Sequence, residues 1–299
     1  SLPNRSWINE RLTFTHGYGI ALGPVNQVTP EGLPVLFIKN LPPESEVDLT
    51  VEQPSIYYGE LSNDHVFVLT KTREFHYPKG DDNVFSVYDG SGGVEVGGLA
   101  RRALFAIRLQ SMRTLLSNEI TSESRVLFHR RVQDRVRKIA PFITLEEDRY
   151  LAIADGRLYW VQDAYTVSDR YPYSTHGAPG INYIRNSIKA VVDAYNGTVR
   201  YYVVDDRDPI VQTLTKIFPD LLRPVGEMPE GLRTRLRYPQ GIFELQAQMF
   251  STYHMTNPAV FYNKEDQWEV PALDQAGGQA NRMRPWYTIM KLPGETGTE

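Results

Sequence analysis

From residue 11 to residue 98 the apolar positions fall in short runs separated by proline, glycine and polar residues. This pattern predicts strands over Gly17 to Leu22, Leu33 to Ile38, Val47 to Val51, Ser55 to Tyr58 and Val66 to Thr70. Pro24, Pro30, Pro42, Pro43 and Pro54 punctuate them, so this part reads as β-rich with long loops. Gly80 to Gly98, with Asp81-Asp82 and many glycines after Val87, reads as a flexible loop. It lacks the Gly-x-Gly spacing and the following Lys-Ser/Thr of a phosphate cradle.

The period then changes. Leu99 to Gln110 places Leu99, Ala103, Ala106 and Ile107 at helical spacing, with Leu104 and Phe105 beside them. A second helix is expected over 122–139, capped by Thr121 or Ser122 and stopped by Pro141, with Val132, Val136 and Ile139 facing a core. Arg130, Arg131, Arg135, Arg137 and Lys138 cluster on it, either as a solvated, ion-paired face or as a contact for an anion or lipid headgroup.

Tyr150 to Ala154 and Arg157 to Tyr165 flank Asp155-Gly156, the signature of a type I′ hairpin turn. Ile188 to Asp193 and Thr198 to Val204 flank Ala194-Tyr195-Asn196-Gly197, where Asn-Gly is expected to do the same job. Asp208-Pro209 caps a helix over 209–218, and another follows over 241–253. Beyond Thr256 the signals weaken. Ala259 to Tyr262 and Trp286 to Met290 are apolar enough to dock on the sheet, Asp274 to Asn281 reads as a mobile loop, and Trp286 to Leu292 reads as a strand. The expected architecture is α+β: antiparallel sheets built from hairpins with helices alongside, divided into a β-rich part over 1–98 and an α+β part over 99–299, the chain being a fragment of something longer.

Composition narrows the function classes. A chain of 299 residues, 41% hydrophobic and 23% charged, is that of a folded globular protein. Its net charge of −4 argues against nucleic acid as a partner. Without cysteine there is no disulfide, thiolate-held metal or thiol nucleophile. No run approaches the roughly 20 apolar residues of a spanning helix, and the start carries no signal-peptide pattern.

Candidate chemistry is densest between the two hairpins. Asp163, Asp169, Arg170, Tyr171, Tyr173, His176, Asn182 and Arg185, with Ser168 and Ser174, could bind a polar ligand or transfer protons. His176 suits a proton carrier, although His176-Gly177-Ala178-Pro179-Gly180 is also plain turn chemistry. The six histidines stand too far apart in sequence to form a metal pair, and no metal or cofactor is expected. Asp205-Asp206-Arg207-Asp208 could offer oxygens to a hard cation, but reads first as a strand exit and helix cap. Eighteen tyrosines, including Tyr57-Tyr58, Tyr171, Tyr173 and Tyr201-Tyr202, could stack on sugars or peptides, yet tyrosine also belongs in strands.

The blocks RLTFTHGYG (11–19), VNQVTPEG (25–32), QPSIYYGE (53–60), 124–139, DAYTVSDRYPYS (163–174), NYIRNS (182–187) and FYNKEDQWEVP (261–271) resemble those of the uncharacterised bacterial family UPF0182. The resemblance implies a soluble extracytoplasmic region of a multi-spanning membrane protein, with its own membrane helices as partners, and carries no catalytic residues. The expected function is therefore binding of an envelope ligand or protein. Alternatives are an envelope hydrolase or transferase built on His16, Asp163, Asp169 and His176, or a structural assembly module. Convergence of those four in a deep pocket would favour the enzyme, and a broad apolar surface would favour assembly.

Overall fold

The structure, a computed structural model, describes residues 6–62, 64–177, 180–274, 280–288 and 293–294. After a helical turn over Asn9–Thr13 come very short strands: β1 (Gly17–Tyr18), β2 (Ile38–Lys39), β3 (Glu44–Ser45), β4 (Ser55–Ile56) and β5 (Val66–Val68). β1 pairs with β4 and β2 with β3, both antiparallel. The expected strands at Gly17, Ile38, Ser55 and Val66 are present but two or three residues long, and Val47 to Val51 forms none. The expected loop over 80–98 is interrupted by strand at 82–86 and 94–95. β6 (Glu74–Lys79) and β7 (Asp82–Ser86) form a hairpin turning at Gly80, whose φ of +60° suits glycine, and β8 (Val94–Glu95) follows.

Helix α1 (Leu99–Arg108) and the short α2 (Met112–Leu116) come next. The single helix expected over 122–139 is two elements, β9 (Arg125–Leu127) and α3 (Val132–Ile139). Val126-Leu127 is an apolar run that a distant strand claims: β9 lies antiparallel between β5 and β8. His129, at φ +50°, turns the chain into α3. The apolar stripe of α1 also departs from expectation. Ala106 is buried and Phe105 packs on a cluster of Leu12, Phe67, Val96, Ile120 and Val126, whereas Leu99, Leu104 and Ile107 face outward.

The remainder is organised by one five-stranded sheet. β10 (Thr144–Ala154), β11 (Arg157–Ser168), β12 (Tyr183–Asp193) and β13 (Val199–Val203) run antiparallel in that order. Asp155 and Gly156 both take positive φ, +50° and +70°, as a type I′ turn requires. The second turn differs from expectation, because only Gly197 has positive φ (+69°). There the Asp193 carboxylate accepts from the backbone N–H groups of Tyr195 (2.8 Å) and Asn196 (2.9 Å), making a wider loop. After β13, α4 (Pro209–Ile217) crosses over to β14 (Leu222–Pro224), which pairs parallel with β13 and gives the sheet one parallel edge.

Side chains alternate across this sheet. Ile188, Ala190, Val192 and Tyr201 pack under α3 and α4 with Val132, Val136 and Val211. Val191 and Tyr202 face the other way, onto Met228 and Leu232 of the segment holding α5 (Glu230–Arg233). Helix α6 (Gln240–Tyr253) matches its expected span. The apolar stretch at Ala259 forms α7 (Pro258–Asn263), capped by Asn257, and its Phe261 packs on Tyr253 of α6 instead of on the sheet. β15 (Ala272–Asp274) pairs with β16 (Ala280–Arg282), so both ends of the expected 274–281 loop are strand; residues 275–279 lie outside the described ones. Trp286 to Thr288 is not strand, and the rest of that expected strand, 289–292, is likewise undescribed.

Candidate functional site

The basic run between β9 and the end of α3 folds around a concavity of about 230 Å³ lined by His129, Arg130, Arg131, Asp134, Arg137 and Lys138. Arg130 is its anchored wall. Buried, it donates to the carbonyls of Tyr57 (2.6 Å), Asp64 (3.2 Å) and Thr15, three positions far away in sequence. Burial lowers its pKa to about 10, which leaves it cationic at neutral pH. Arg135 is similarly committed: it donates to the carbonyls of Gly197, Phe128 (3.2 Å) and His129 (3.4 Å), and its guanidinium lies 4.6 Å from the centre of the Tyr58 ring.

Arg131, Arg137 and Lys138 are different. Among the described residues they enter no ion pair, and the Arg131 Nε is buried without a hydrogen-bond partner. His129 is held towards its neutral form, first by burial and then by Lys138, Arg108 and Arg135. Five cationic side chains therefore stand within ten residues against one carboxylate, Asp134, which occupies the first turn of α3, while Arg137 and Lys138 occupy its last. The arrangement can hold a phosphate- or carboxylate-sized anion.

The other candidates fall in three separate places. His16 lies beside the β6 hairpin, its Nε2 2.9 Å from His76 Nδ1 and its ring stacked 4.5 Å from that of Tyr57. Next to it Glu74 is buried and accepts from Thr15, from Tyr57 Oη (2.8 Å) and from Tyr88 N (3.1 Å). Asp163 is buried inside the sheet against Lys189, whose pKa burial lowers to about 8 against the attraction of Glu146. Asp169, Arg170, Tyr171, Tyr173 and His176 form the exposed β11–β12 loop, where His176 Nε2 lies 3.0 Å from the Asp169 carbonyl oxygen. Asn182 clamps that loop: it accepts from Tyr171 N (3.0 Å) and donates to the carbonyls of Tyr171 (2.7 Å) and Ser174 (3.3 Å). Arg185 pairs with Asp205 at 2.9 Å. Among the described residues no hydrogen bond or ion pair joins His16 or Asp163 to Asp169 or His176, and no group of three or more His, Asp or Glu side chains is placed to hold a metal.

Sequence reasoning singled out the arginines of the concavity but not His129 or Asp134. The available signal was the density of cations against a single carboxylate over 129–138; the turn at His129, which gathers them, depends on the pairing of β9 with β5.

The whole chain, residues 1–299, matches the model of the uncharacterised protein family UPF0182. UPF0182 proteins of Pelotomaculum thermopropionicum (50% identical over 295 residues, 99% of this chain and 32% of the relative), Geotalea uraniireducens (51% over 299 residues, 100% and 33%) and Geobacter sulfurreducens (51% over 299 residues, 100% and 33%) are similar to it. The chain thus spans about one third of the length of these curated relatives. No solved structure matches it.

Proposed function

The chain belongs to the UPF0182 family, and from that premise we propose that it is an extracytoplasmic binding module of a larger bacterial membrane protein, taking an anionic envelope ligand in the concavity over 129–138. One observation carries the reading: Arg131, Arg137 and Lys138 line that concavity and enter no ion pair among the described residues, beside the immobilised Arg130. Cations brought together without partners repel one another, and a phosphate or carboxylate oxygen relieves that repulsion while satisfying the Arg131 fork. The membrane attachment and the location rest on the family resemblance, and the separation of His16 and Asp163 from the β11–β12 loop favours binding over a hydrolase or transferase built on them.

The test is thermal stabilisation by inorganic phosphate and by citrate at constant ionic strength. A specific ligand at 100 times its Kd adds about 2.7 kcal/mol. The Arg131→Gln/Arg137→Gln variant is expected to lose that gain and keep the ligand-free Tm. Equal stabilisation of parent and variant would remove the concavity as the site. A second reading places a protein partner on the β11–β12 loop, because the Asn182 clamp gives the exposed Tyr171 and Tyr173 a built support. An effect of Arg170→Ala/Tyr173→Ala on partner or ligand binding, with Tm unchanged, would favour it.

A further inference from the structure

The α1–α2 hairpin is built inside out. At 100° per residue, Leu99, Ala103, Ile107, Ala100 and Leu104 occupy one continuous face of α1, spanning about 140°. That face points away from the protein: Leu99 is 74% exposed, Leu104 68% and Ile107 76%. One turn apart on α2, Met112 (63%) and Leu116 (71%) are exposed as well.

These side chains do not belong to a fraying end. Phe105, Ala106 and Leu109 pack inward, with the Phe105 ring 5.8 Å from Phe128. Arg102 donates to the carbonyls of Ser117 (3.5 Å) and Ile120, tying α1 to the chain that leaves α2. The surface is held firmly and left uncovered, and single scattered apolar residues would not form it.

Charge identifies what covers it. From Val96 to Asn118 there are four arginines and no aspartate or glutamate, in a chain whose net charge is −4. Arg102 is committed to its two carbonyls and Arg101 pairs with Glu95 at 2.9 Å, while Arg108 and Arg113 enter no ion pair among the described residues. Arg101 and Arg108 adjoin each other on the helical wheel, at the border of the apolar face. An apolar face bordered by arginine fits a sheet of anionic headgroups over acyl chains, where guanidinium groups meet phosphate and leucines enter the hydrocarbon. A second copy packed antiparallel fits less well, because that two-fold contact would set one arginine border against another. No helix among the described residues is long and apolar enough to cross a membrane, so the contact would lie along the surface.

We infer that the α1–α2 hairpin docks this protein on an anionic lipid bilayer, with Leu99, Leu104, Ile107, Met112 and Leu116 entering the interface. The inference uses residues outside the anion concavity and stands without it. The experiment is co-flotation of the full chain with phosphatidylglycerol vesicles and with phosphatidylcholine vesicles. The expected result is capture by the anionic vesicles, at least tenfold weaker capture by the neutral ones, and a comparable loss in Leu104→Gln/Ile107→Gln. Both substitutions are on exposed side chains, so Tm should not fall. The Arg131→Gln/Arg137→Gln variant is expected to float like the parent, which separates this surface from the concavity. Capture by neither vesicle would overturn the inference, as would undiminished capture of Leu104→Gln/Ile107→Gln. A concentration-dependent dimer that those substitutions dissociate, without vesicle capture, would also overturn it and assign the face to self-association.

Discussion

Lys189 and Asp163 show how a polar residue in a strand can mislead. From sequence Asp163 reads as a ligand or catalytic group because it stands beside Ser168, Asp169 and Arg170. In the fold, β11 and β12 place it opposite Lys189 in the sheet, both side chains buried. Which cation would meet it depended on register, and register is a property of two strands together. A buried pair adds little over an apolar replacement, but removing one partner strands the other charge. Lys189→Met is therefore expected to cost about 3–5 kcal/mol in urea unfolding, with no effect on anion binding at the concavity. A loss below 1 kcal/mol would mean that Asp163 is readily hydrated or neutralised.

At the scale of elements, local chemistry was legible where it was self-sufficient. Asp155-Gly156 and Asp208-Pro209 each determine a turn or a cap from adjacent residues, and both are found as expected. The β9 strand was not legible, because what separates it from a helix is its pairing with Val66–Val68, some sixty residues earlier. The Asp208 cap carries a pH signature. Burial acts to raise its pKa, but hydrogen bonds from Ser187, Thr166, Tyr183 and the Ile210 backbone outweigh it, and the net shift is downward. Its stabilising share is thus complete above the ordinary carboxylate value of about 3.9 and is lost as pH falls through the lower folded value. Asp208→Ala should cost about 1–2 kcal/mol at pH 7, and the gap from the parent should narrow on acidification below pH 4. A gap that stays constant to pH 2 would exclude the carboxylate as its cause.

For the molecule as a whole, the α+β class was legible from hairpins alternating with amphipathic helices. The candidate site was legible only as a list of residue types. His16, Asp163 and the Asp169–His176 loop share a chemistry on paper, and the topology deals them to the β6 hairpin, the sheet interior and an exposed loop. The same topology gathers Arg130, Arg131, Arg137 and Lys138, which reads from sequence as an ordinary charged helix face, around one concavity. It also turns the α1 stripe outward, since Phe105 and Ala106 satisfy the neighbouring core and leave Leu104 and Ile107 without one.

One of the shared clusters ties the two halves of the sequence together. Tyr57, Tyr58, Val66, Val68 and Tyr88 pack with Leu127 and Tyr195. Trp160 donates to the Tyr58 carbonyl at 3.0 Å, and Asn196 accepts from Ser91 N at 3.0 Å. Gly197 sits so near Tyr58 that an added Cβ would fall 2.4 Å from its ring. Neither half can melt without exposing side chains that the other half covers. Calorimetry should accordingly show a single peak whose van't Hoff and calorimetric enthalpies agree, and a cut between Gly98 and Leu99 should yield two pieces that do not hold their structure apart but regain it when mixed.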